Sequence, residues 1–161
     1  MIFGLSLHAF TVLHVIITIV ELFAGAVIVQ QMLAGKRRGL NFAFLLTAAL
    51  TTITGFMFPY HGPTPGIILG FITLPFLLLA AVAWYTGRLR GAWRVIYVLS
   101  ILILFYLDAF VAVAQSFMKI PALHALAPKG NEPPFAVAQG LLLLVFIFLG
   151  YLALKRFRPV A

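Results

Sequence analysis

The chain has 161 residues, of which 64% are hydrophobic and 9% charged, and its mean hydropathy is +1.16. Soluble domains carry about 25% charged residues, so this balance excludes a water-soluble globular domain. The net charge of +8 sits in short basic clusters between apolar runs and forms no interleaved basic and aromatic surface, which argues against a nucleic-acid partner. There is no cysteine, which removes disulfides, thiolate metal sites and thiol redox chemistry.

The N-terminus, MIFGLSLHAF, lacks the basic region and small-residue cleavage site of a signal peptide, so its long apolar continuation is expected to be retained as a spanning helix. A crossing needs about 20 mostly apolar residues. Five segments qualify, at residues 9–33, 40–58, 67–86, 95–118 and 135–154. The expected fold is therefore all-α, a single polytopic bundle of five transmembrane helices over residues 1–161. Nine bases (Lys36, Arg37, Arg38, Arg88, Arg90, Arg94, Lys155, Arg156 and Arg158) fall in the first loop, the third loop and the tail. Only Lys119 and Lys129 fall on the other side. The positive-inside rule then places the N-terminus outside and the C-terminus in the cytoplasm, in a bacterial-type inner membrane.

On this topology Trp84, Tyr85, Trp93, Tyr97 and Tyr151 form a cytoplasmic aromatic belt. Gly66 and Gly70 permit close approach at the outer end of the third helix, which Pro75 should kink. Thr47, Thr51 and Thr54 share one face of the second helix and read as packing hydroxyls. The outer loop KIPALHALAPKGNEPP is bracketed by Pro121 and Pro128, with one helical turn expected between them.

The chemistry concentrates on three acids, Glu21, Asp108 and Glu132. Glu21 and Asp108 interrupt spanning runs, where a charged group costs roughly 2.5–3.5 kcal/mol even on the lenient insertion scale. Asp108, Gln115 and Lys119 are spaced by seven and four, so they share one face of the fourth helix. About 16 Å of helix separates Lys119 from Asp108, which sets Asp108 near the midplane. His14 and Glu21 likewise share a face of the first helix, with Glu21 about 20 Å from His8 at the outer end. Two carboxylates at similar depth must share a proton or a cation, because bare anions repel in low dielectric.

Three ligand readings follow. A quinone head group would use His14, Asp108 and Glu21 for protons and Gln115, Tyr106 and Lys119 as binding partners. Haem b is the poorer match, because only His14 of the four histidines lies within a helix. A zinc or copper site from His8, His61 and His124 with Glu132 has no local ligand motif behind it. The leading expectation is a small membrane protein with a proton-handling, quinone-like ligand site, serving as an accessory subunit of a redox complex. A proton- or cation-translocating oligomer uses the same carboxylates as a pathway. A structural subunit would dock its partner through residues 119–134. In size and class the chain resembles small membrane subunits of respiratory complexes, without the paired intrahelical histidines of b-type cytochrome anchors. There is no HExxH, GxSxG, P-loop or dinucleotide fingerprint.

Overall fold

The structure, a computed structural model, describes residues 2, 4–36, 40–59, 62 and 65–158. Arg37, Arg38 and His61 lie outside the described residues, as does most of the turn around His61. The described chain is all-helical: α1 (Leu7–Leu33), α2 (Asn41–Phe56), α3 (Pro65–Tyr85), α4 (Ala92–Lys119), the single turn α5 (Pro121–His124) and α6 (Pro133–Arg156). Four of them, α1, α3, α4 and α6, are long and apolar enough to cross a membrane. The segment expected at 40–58 is shorter, because α2 has 16 residues and rises about 24 Å against a hydrocarbon core of about 30 Å. Helix is the dictated form, since each backbone N–H and C=O in lipid must find its partner within its own segment.

Local chemistry sets the helix ends. The Ser6 hydroxyl accepts the Ala9 N–H at 3.2 Å and caps α1. At its other end Gly35 takes φ +69°, which lets the Lys36 N–H reach the Gln31 carbonyl at 2.9 Å. Pro121 holds Ile120 extended and stops α4, and α5 is the one turn expected there. Pro133 and Pro134 open α6, where their missing N–H groups have no intrahelical partner to lose.

The helix α4 is the hub, packing against α1, α3 and α6, while α2 bridges α1 and α3. Arg94 at the start of α4 donates to the carbonyls of Leu154 and Phe157 at 2.9 and 2.8 Å, closing the end of α6. Arg94→Ala is expected to cost about 1.5–3 kcal/mol, the range for hydrogen bonds from a charged group, read as a lower unfolding temperature in detergent. An unchanged temperature would mean that water replaces the guanidinium.

Packing is uneven along the bundle. The dense core lies towards the loops rich in bases and joins Ala24, Ile28 and Met32 to Phe44, Ala83, Ile101 and Ala153. In that half Tyr97 departs from its expected place in an interfacial belt. It is 1% exposed, its ring lies 5.3 Å from that of Trp84, and its hydroxyl donates to Asn41 Oδ1. A buried tyrosine is tolerated when its hydroxyl has such a partner. Tyr85, Trp93 and Tyr151 remain exposed, as an interfacial belt requires. The opposite half of the bundle is looser, and Glu21, Thr52 and Thr54 are buried there.

Candidate functional site

Between α1, α2, α3 and α4, in that looser half, lies a cavity of about 290 Å³. This is more than ten times the ~10–15 Å³ that one water needs. Its lining runs from Phe58, Pro59 and Gly66 at the α2–α3 connection down to Thr51 and Asp108. Antiparallel packing of α1 and α2 brings His14 onto Thr54, with Nδ1 2.7 Å from the hydroxyl. The His14 ring also meets Phe58 edge-on at 5.3 Å.

The two carboxylates meet. Glu21 of α1 and Asp108 of α4 interact through their side chains, and the Thr51 hydroxyl of α2 lies beside Glu21. Asp108 faces the cavity, and Glu21, only 2% exposed, sits behind it. Three oxygens at this junction, Glu21 Oε2, Asp108 Oδ2 and Thr51 Oγ1, are buried and complete no hydrogen bond. Buried polar atoms without partners are uncommon and mark unfilled chemistry or an unsettled proton.

One helical turn beyond Glu21 the interior closes. A Cβ on Gly25 would lie 2.8 Å from the Phe105 ring and 3.0 Å from that of Phe44, so only a glycine lets these helices approach so closely. At the other end Gly70 accepts the Phe56 ring in the same way, and Gly66 lines the cavity. Of this glycine pair, Gly70 makes its close contact with the Phe56 ring of α2.

The remaining sequence candidates divide. Gln115 lines the cavity with Asp108. Lys119 is exposed at the end of α4 and does not line it. Tyr106 points elsewhere, into an apolar groove of about 340 Å³ between α4 and α6, with its ring 5.5 Å from Phe146. It sits two residues from Asp108, so helical geometry turns it roughly 200° away. His8 and His124 are exposed on α1 and α5. Among the described residues no three His, Asp or Glu side chains gather to hold a metal.

Sequence reading did not single out Thr18, Thr52 and Thr73, which also line the cavity. The signal available was a set of threonines on three helices at the depth of the acids. Thr47 and Thr54 behave as the packing hydroxyls expected, bonded to the Ala43 and Leu50 carbonyls at 2.8 and 2.6 Å and absent from the cavity lining, whereas Thr51 lines it.

Glu132, the third acid, lies outside the bundle. Slight desolvation pushes its carboxyl up, but the backbone N–H groups of Lys129, Glu132, Asn131 and Gly130 outweigh it and hold it below the usual carboxylate range. A depressed carboxyl stabilises above its unfolded pKa and loses that contribution as pH falls through its folded value. Protection of amides 129–132 relative to their intrinsic exchange rate is therefore expected to fall at pH below the ordinary glutamate range, and the Glu132→Gln variant should lack that step.

Comparison with known protein families, with curated proteins and with solved structures finds no match to this chain.

Proposed function

We propose that this chain is a small ligand-binding protein of a bacterial-type inner membrane, whose Glu21–Asp108 pair exchanges a proton with the bound molecule. Five crossings, with the N-terminus outside, put the cavity mouth on the outer face. The contact of His14 with Thr54 near one end of the bundle supports a full crossing by α2, as does the Asn41–Tyr97 bond near the other. The unequal distribution of bases supports the orientation.

One observation carries the reading: Asp108, paired with the buried Glu21 behind it, lines a cavity of about 290 Å³. A translocation pathway needs polar residues on both sides of the acids. Here Gly25 packs closely against Phe105 and Phe44 one turn beyond Glu21, which favours a binding site over a conduit. Membership of a redox complex or a homo-oligomer is compatible with this site and is not needed to build it.

The test is native mass spectrometry of protein released from mild detergent. The wild type is expected to carry a stoichiometric small adduct, and Asp108→Asn to lose it while keeping its helical signal. Unchanged occupancy in Asp108→Asn would sink the proposal, and the same spectra count subunits.

A further inference from the structure

Three of the four threonine hydroxyls that line the cavity have committed their protons, and the fourth, Thr51 Oγ1, is buried beside Glu21 and completes no hydrogen bond. Thr18 donates to the His14 carbonyl at 3.0 Å, Thr52 to the Ala48 carbonyl at 2.8 Å and Thr73 to the Gly70 carbonyl at 2.7 Å. Each satisfies its own helix, the usual behaviour of threonine in apolar surroundings, and has only lone pairs left to offer. Thr54 likewise donates to the Leu50 carbonyl at 2.6 Å. With that bond made, the contact with His14 is an Nδ1–H donating to Oγ1, the tautomer that leaves His14 Nε2 as an acceptor. Asp108 and the Glu21 behind it add acceptor oxygens without partners. Gln115 is the lining side chain that retains N–H donors, and among the described residues no lysine or arginine lines the cavity.

An acceptor-rich wall does not suit a quinone, whose carbonyls also accept. It suits a molecule that brings donors and positive charge. Most of the wall is apolar, including Phe56, Phe58, Ile67, Leu107 and Val111. The occupant therefore has an apolar body, and aromatic faces attract cations in addition.

Resting on the ligand-site reading above, we infer that the cavity takes a small organic cation, a protonated amine on an apolar body, with its ammonium group held by Asp108 and the Glu21 behind it. The cavity holds far more than a bare ion, and the pair supplies the negative charge that a desolvated ammonium requires.

The experiment titrates detergent-purified protein with benzylammonium, with benzyl alcohol as the uncharged isostere, with a short-chain quinone, and with sodium chloride at matched ionic strength. Calorimetry and thermal unfolding provide the readouts. Benzylammonium is expected to bind saturably and raise the unfolding temperature, the alcohol and salt to do neither, and both Glu21→Gln and Asp108→Asn to weaken the amine at least tenfold. Equal binding of alcohol and amine, or full affinity in both variants, would overturn the cation assignment. Quinone binding without amine binding would overturn it too, yet leave the cavity a ligand site. Failure of all four probes, together with an adduct-free native spectrum, would remove both readings.

Discussion

Glu21→Gln is expected to give a protein more stable than the wild type and unable to bind its ligand. The wild-type pair confines two acids where charge is poorly solvated, and leaves Glu21 Oε2 and Asp108 Oδ2 without partners. A glutamine amide keeps the shape, carries no charge and donates an N–H to Asp108. Relief of an unsatisfied buried polar group is worth about 1–3 kcal/mol, so the unfolding temperature should rise by several degrees. A gain in stability with a loss of binding is the usual trade at a functional site. If Glu21→Gln instead unfolds more easily, the pair serves as helix glue, and its proton is a structural hydrogen bond.

The largest loss is expected at Gly25. Its absent Cβ is the reason α1 can lie against Phe105 of α4 and Phe44 of α2. Gly25→Val places branched carbon where two ring contacts are already at 2.8 and 3.0 Å. Overpacking of this kind costs about 1–3 kcal/mol, with the upper end expected because a ring on each of two helices must give way. Thermal unfolding checks the loss. Phe105→Leu, added to Gly25→Val, should recover part of it, because the smaller side chain vacates the clash. The absence of recovery in the double variant would locate the strain elsewhere. Gly25→Val in liposomes also reports whether this close packing limits proton leak.

These expectations lie at different distances from the sequence. Helical segments were readable because length and apolarity are local properties, and lipid permits the backbone few other forms. The expected ends at 9–33 and 135–154 lie within two residues of Leu7–Leu33 and Pro133–Arg156. Likewise Glu21 and Asp108 stood out because an acid within a spanning run is expensive wherever its helix packs. That Asp108 and Gln115 share a face followed from helical spacing on one element, and the cavity lining contains both.

Which face meets which neighbour was not readable. The helices α1 and α6 are apolar around their whole circumference, so hydropathy does not distinguish a side packed on protein from one exposed to lipid. Only the tertiary structure turned Tyr106 into a groove of its own, buried Tyr97 against Asn41, and brought Thr18, Thr52 and Thr73 from three helices around one space. The residue types alone admitted quinone, haem or metal, because threonine and histidine can donate or accept. Once the protons of Thr18, Thr52 and Thr73 are bound to specific backbone carbonyls, only acceptance is left to those three hydroxyls.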